Sequence, residues 1–132
     1  MATITRFEDL EIWQEARRLS LLMFELTKNE FFARDFKFRD QVRSSAGSVM
    51  DNIAEGFERS GRNEFVQFLS ISKGSAGEIR SQLYRATDQK YIAADEANEL
   101  IDKYKNLASQ ISGFIGYLNK SEFRGHKFKD RN

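Results

Sequence analysis

DEANELIDKYKNLASQISGFIGYLN, residues 95–119, is the stretch that decides the fold. Ala97, Ile101, Tyr104, Ala108, Ile111, Ile115 and Leu118 recur in it at steps of four and three, which lines up one face of a helix. Asp95, Glu96 and Glu99 crowd its start, where a helix carries partial positive charge. Glu99 stands four residues before Lys103, a favourable charge pair along one face. Working outward, the same period returns three more times. Ile12, Ala16, Leu19, Met23 and Leu26 predict a helix from about Glu8 to Thr27. Phe38, Val42, Ala46, Val49, Ile53 and Phe57 predict one from about Phe36 to Arg59, with Asp35 as N-cap and Gly61 as its stop. Phe65, Phe68, Leu69, Ser72, Ala76, Ile79, Leu83 and Ala86 predict a third, capped by Asn63 and ending near Gln89.

The chain has no proline, the strongest helix breaker. Four helices joined by loops too short for parallel neighbours predict an all-α, antiparallel up-down-up-down four-helix bundle. At 132 residues and 40% apolar, the chain fits one domain with its own core. The bundle is expected over residues 1–119 and a basic tail over 120–132, where five bases face two acids. The whole chain is nearly neutral, at +1, so it is not a globally basic nucleic-acid glove. It contains no apolar run of bilayer length and no secretory leader, so a cytoplasmic protein without membrane attachment is expected.

The absence of cysteine excludes disulfides, thiolate nucleophiles and Cys-ligated metals. One histidine, His126, cannot supply the paired Glu-x-x-His sites of di-iron bundles. Glu55 and Glu78 are the nearest approach to a carboxylate magnesium site, but paired helical acids are more commonly solvated or salt-bridged, and no metal, cofactor or catalytic residue is expected.

Three features invite a functional reading. Asn52-Ile53-Ala54-Glu55-Gly56 sets polar groups beside the core positions Ile53 and Phe57, either as a recognition surface or as a hydrogen-bond network that fixes helix register. Lys73-Gly74-Ser75-Ala76-Gly77-Glu78 carries two glycines inside a helix, each costing about 1 kcal/mol against alanine. That implies a tight contact at Gly74 and Gly77, against Gly47 or residues 52–56, inside the bundle or between subunits. Arg34, Lys37, Arg39 and Arg43 gather at the start of the second helix. With Lys120, Arg124, Lys127 and Lys129 of the tail, interleaved with Phe123 and Phe128, they form a candidate surface for phosphates and stacked bases. The bland reading is a solvated helix with a tail lying on the bundle. Finally, Leu10, Trp13, Leu21, Phe24, Phe31, Phe32, Leu100, Leu107 and Phe114 lie outside the main stripes, more than a lone small bundle buries, so a homo-oligomer is expected.

The sequence resembles the small four-helix-bundle proteins called 23S rRNA intervening sequence proteins. The resemblance rests on Phe7-Glu8-Asp9-Leu10-Glu11-Ile12-Trp13-Gln14-Glu15-Ala16, on Gln41-Val42-Arg43 leading to Asn52-Ile53-Ala54-Glu55-Gly56, and on residues 65–79, FVQFLSISKGSAGEI, with Tyr91-Ile92 before the last helix. It departs where members carry Phe-Pro and Tyr-Gly-Leu between the first two helices, and where Arg-Arg-Ala-Ala is here Arg43-Ser44-Ser45-Ala46, which thins any basic surface. The resemblance implies a homopentamer with no known catalytic activity. It extends to the accessory variability determinant of diversity-generating retroelements, a pentameric barrel that binds nucleic acid and a reverse transcriptase. Arg34, Lys37, Arg39, Arg43 and the tail are then expected to contact RNA or DNA, and Asn52, Glu55, Gly56, Gly74, Ser75 and Glu78 to hold helices or subunits together. The alternative is a protein–protein scaffold that binds no nucleic acid.

Overall fold

The computed structural model describes residues 3–120 and 128–129. Four long helices carry the fold: α1 (Glu11–Leu26), α3 (Phe36–Glu58), α4 (Arg62–Asp88) and α5 (Ala94–Lys120), with a five-residue helix, α2 (Glu30–Arg34), between the first two. A two-residue strand, β1 (Thr3–Ile4), pairs antiparallel with β2 (Phe128–Lys129), Thr3 opposite Lys129 and Ile4 opposite Phe128. The all-α bundle expected from periodicity is what forms.

Each long helix buries the stripe that the period marks out, apart from Phe68 of α4 and Ile115 of α5, which are only partly buried. Ile12, Ala16, Leu19, Met23 and Leu26 of α1 are all buried, as are Ala97, Ile101, Tyr104, Ala108, Ile111 and Leu118 of α5. α1 packs on α3 and α5, and α4 packs on α3 and α5, so the four enclose one core. Cross-helix contacts fix their directions. Ser45 meets Gln82, Ser48 meets Ser75, Val49 meets Ser72 and Phe57 meets Phe65, so numbers rise along α3 as they fall along α4. Phe65 at the start of α4 likewise meets Phe114 near the end of α5.

The ends differ from expectation for local reasons. α1 begins at Glu11, because Leu10 is extended (ψ 125°) after a 3-10 turn over Phe7–Asp9. Asp35 does cap α3, its Oδ1 accepting from the Phe38 amide at 3.3 Å. Gly61 does not stop α3. Ser60 makes the turn in the left-handed region at φ 71°, and Gly61 is the N-cap of α4, a place assigned to Asn63. α2 exists because Asn29 caps it: its Oδ1 accepts from the Phe32 amide (2.9 Å) while its Nδ2 donates to the Tyr91 carbonyl (2.9 Å). Phe32 is thereby driven into the core, stacked on Phe38 at 5.2 Å.

The within-bundle alternative for Gly74 and Gly77 needs correction. A Cβ on Gly74 would meet nothing within 4 Å, and one on Gly77 only the Arg80 guanidinium at 3.8 Å, so neither marks a tight contact inside the bundle. Gly47 is equally open, with only Asp51 at 3.9 Å. The close approach is at Gly56, where a Cβ would lie 2.7 Å from Phe68 Cβ, 3.0 Å from Phe65 Cδ1 and 3.4 Å from the Phe65 carbonyl oxygen. Alanine-sized bulk there would push α3 and α4 apart.

Of the apolar residues outside the stripes, Leu10, Phe32, Leu100, Leu107 and Phe114 are buried within the single chain. Leu21 and Phe31 are more than half exposed and Phe24 is 40% exposed, joined by Leu22, Phe36, Ile71 and Tyr84.

Candidate nucleic-acid interface

Arg34, Arg39 and Arg43 lie where α1 ends, α2 crosses and α3 begins, and Lys37 stands in the first turn of α3, two residues from Arg39 and so on another side of that helix. Their roles differ. Arg34 is held in an exposed ion pair with Glu30, one helical turn away, at 2.7 Å. Arg39 pairs with Asp40 at 2.9 Å and stacks over the Phe36 ring at 5.0 Å. Arg43 reaches back to α1. Its Nε donates to Thr27 Oγ1 (2.8 Å) and its guanidinium lies 4.4 Å from the centre of the Phe24 ring. Lys28 sits 4.8 Å from that same ring and 3.4 Å from Glu25. Lys37 is exposed and has no hydrogen bond or ion pair among the described residues.

The result is a surface of cations laid on aromatic rings, with Phe31 (57% exposed) and Phe36 (66% exposed) open beside them. Each cation–ring contact is worth about 0.5–1 kcal/mol when exposed. A planar ring and a fixed guanidinium offer a base something to stack on and a phosphate something to bond. Beneath it, Asp35 ties the α4–α5 connection down: its Oδ2 accepts from Tyr91 Oη at 2.8 Å, and that bond to a carboxylate holds the phenol above its ordinary pKa. Lys28, Phe24, Phe31 and Phe36 belong to this surface but are not legible as such in the sequence, because Phe24 and Arg43 are nineteen residues apart and only the fold joins them.

Lys120 is not part of this surface. It ends α5, at the opposite end of the bundle from the start of α3, so about 35 Å of helix at 1.5 Å per residue separates the two groups. Lys129 lies in β2, paired with Thr3, and Arg124 and Lys127 lie outside the described residues.

The motif residues form a seam between α3 and α4. Asn52 Nδ2 donates to the Ser48 carbonyl (2.8 Å) and to Ser48 Oγ (2.9 Å), and that hydroxyl lies 3.0 Å from Ser75 Oγ. Deeper, Ser72 Oγ donates to the Val49 carbonyl at 2.7 Å, and Gln82 Nε2 donates to Ser45 Oγ at 3.1 Å. Asn52, Ser75 and Gly56 thus hold two helices together, the register-fixing reading of this segment. Glu55, Gly74 and Glu78 do not: all three are exposed, and Glu55 is engaged by Arg59 at 2.8 Å, which raises the guanidinium pKa. No group of three or more metal-ligating side chains occurs among the described residues, and no helix among them is long and apolar enough to cross a membrane.

The fold has a solved counterpart. A crystal structure of a protein of unknown function from the S23 ribosomal protein family of Bacteroides thetaiotaomicron superposes with a TM-score of 0.72 at 18% identity, over 79% of this chain and 97% of that one. That likeness is one of fold. Among curated proteins nothing matches. The model of the 23S rRNA-intervening sequence proteins matches residues 8–113, four-fifths of the chain and all the helices just described except the last turns of α5. By that match, and by the seam and bundle it spans, the chain belongs to the 23S rRNA-intervening sequence protein family.

Proposed function

We propose that this chain is a cytoplasmic, non-enzymatic homo-oligomer, five copies being the expected order, that holds structured RNA on the surface where α1 ends and α3 begins. The observation that carries the reading is the set of cations stacked on exposed rings: Arg43 and Lys28 on Phe24, and Arg39 on Phe36. Lys37 and the outer faces of Phe31 and Phe36 remain open to a ligand. Bases stack on the rings, and Lys37, Arg39 and Arg43 bond the phosphates; repetition in an oligomer multiplies a modest single site into useful avidity. Lys120, at the far end of the bundle, offers a second, separate phosphate contact.

Fluorescence anisotropy with a labelled ribosomal RNA hairpin at 50 and 200 mM salt tests this. Wild-type protein is expected to bind and to weaken steeply with salt. Phe36→Ala and Lys37→Glu are each expected to weaken binding at least about tenfold. Salt-insensitive binding, or binding unchanged in both variants, refutes the surface.

A protein scaffold without nucleic acid is the second reading. It is favoured by the ion pairs that already occupy Arg34 and Arg39. Recovery of a protein partner on wild type but not on Phe36→Ala, with no RNA bound, would establish it.

A further inference from the structure

Polar residues at matched spacing on two helices meet in one depression. α4 contributes Gly77, Arg80 and Tyr84, and α5 contributes Asn98, Asp102 and Lys105, to an open cleft of about 670 Å³ between them. Each set runs over two turns of one helix face. Phe65 at the start of α4 meets Phe114 near the end of α5, so the helices run in opposite directions. Gly77 and Lys105 therefore share one end of the cleft, and Tyr84 and Asn98 the other, with about 10 Å of helix between the ends. Arg80 is drawn to the first of them. A Cβ on Gly77 would lie 3.8 Å from its guanidinium, which folds back over the glycine toward the Lys105 end. It is partly buried, yet neither Arg80 nor Lys105 has an ion pair or hydrogen bond among the described residues. The Asp102 carboxylate and the Asn98 amide are equally without one, and Tyr84 is 57% exposed.

We infer that this cleft binds a nucleoside monophosphate, free or at the end of an RNA strand. The phosphate lies between Arg80 and Lys105, two cations with no ion pair among the described residues, and a guanidinium bonds phosphate oxygens in pairs. The base stacks on the Tyr84 ring, which takes any base, and its edge meets the Asn98 amide, which both donates and accepts. Asp102, between the ends, accepts from the sugar hydroxyls. The order of these groups selects the ligand class. Inorganic phosphate would use one end of the cleft and an uncharged nucleoside the other; a planar ring and an anion held apart by a polar linker use both. The partial burial of Arg80 points the same way, because a charge withdrawn from water is costly to leave unpaired. The cleft shares no residue with the α1–α3 surface, so the inference does not rest on the RNA reading.

Isothermal titration calorimetry of the full-length chain with adenosine 5′-monophosphate, adenosine and inorganic phosphate tests this, and circular dichroism confirms that each variant stays helical. The monophosphate is expected to bind at least about tenfold more tightly than either of its parts. Arg80→Ala and Tyr84→Leu are each expected to weaken it at least about tenfold, while Tyr84→Phe, which keeps the ring, binds like wild type. Gly77→Leu, which takes the space under the Arg80 guanidinium, is expected to weaken binding with helicity unchanged. Absence of binding to wild type, inorganic phosphate bound as tightly as the nucleotide, or affinity unchanged in both Arg80→Ala and Tyr84→Leu overturns the site. A 5′-phosphorylated RNA hairpin separates the two sources. If Arg80→Ala weakens the hairpin along with the monophosphate, the cleft takes an RNA end; if only the monophosphate is weakened, it takes the free nucleotide. Failure of the α1–α3 surface is read separately, from Phe36→Ala and Lys37→Glu.

Discussion

Gly56 and Gly74 belong to the two neighbouring stretches that carry the family resemblance, yet alanine at the two positions is expected to move stability in opposite directions. At Gly56 the new Cβ would stand 2.7 Å from Phe68 Cβ and 3.4 Å from the Phe65 carbonyl oxygen. Neither atom is the end of a flexible side chain, so α3 and α4 must separate by roughly an ångström or Phe65 must leave its edge-on contact with Phe57 (5.8 Å) and its tilted contact with Phe114 (5.6 Å). Overpacking of this kind costs about 3 kcal/mol, at the upper end of the usual range. Removing a helical glycine returns about 1 kcal/mol, leaving a net loss of about 2 kcal/mol. At Gly74 nothing lies within 4 Å, and only the gain of about 1 kcal/mol remains. With an unfolding entropy of about 2.1 cal/mol/K per residue, 1 kcal/mol corresponds to about 3–4 °C for a chain of this size. Gly56→Ala is therefore expected to melt about 7 °C below wild type and Gly74→Ala about 3 °C above it. The assay is thermal melting by far-ultraviolet circular dichroism at concentrations below assembly, since association shifts melting by mass action. A Gly56→Ala protein that melts at or above the wild-type temperature refutes the close α3–α4 approach.

Three further outcomes are expected. The Tyr104 hydroxyl is fully buried without a hydrogen-bond partner among the described residues, so Tyr104→Phe is expected to raise stability by about 1 kcal/mol, read from urea midpoints. Burial, with a smaller contribution from Glu15, also drives the Tyr104 phenol far above its ordinary pKa of 10.0. Because the unfolded chain ionises first, its stabilising share is present below pH 10 and falls as pH rises beyond it, and the variant's melting curve should fall less steeply there than wild type's. Ser72→Ala removes the buried donor to the Val49 carbonyl and is expected to cost about 1–2 kcal/mol in the same urea assay. Asn29→Ala loses both the α2 cap and the bond to the Tyr91 carbonyl, and about 2 kcal/mol with them; unchanged stability would mean that α2 is not held by Asn29.

The four long helices were legible because each repeats its apolar period over sixteen residues or more. α2 was not, because five residues show no period. It forms only since Asn29 finds both a local amide and a carbonyl sixty-two residues away. Helix ends were harder still. Gly61 signals a break, but the left-handed turn is made by its neighbour Ser60, and a composition rule cannot distinguish adjacent residues. For the candidate site, the residue types of Arg34, Lys37, Arg39 and Arg43 were legible, while their ring partners were not: the Arg43–Phe24 contact requires α1 and α3 to be already side by side. For Gly74 and Gly77 the within-bundle alternative fails for a related reason. A glycine's cost in a helix says that something should offset it, not on which side of the helix that something stands.

The α3–α4 stretch separates into layers once the helices are in place. Ile53, Gly56, Ser72, Ala76 and Ile79 point inward and close the bundle. Asn52, Ser48 and Ser75 lie at the boundary and lock the two helices in register. Gly74 and Glu78 point outward, exposed and without partners among the described residues, and the monomer gains nothing from them. An exposed glycine that lowers helix stability is a feature the isolated helix would be better without. The inner layer accounts for folding, and the outer layer takes no part in it. The two are separable by experiment: changes inside should move the melting temperature, and changes outside should leave helicity as it was.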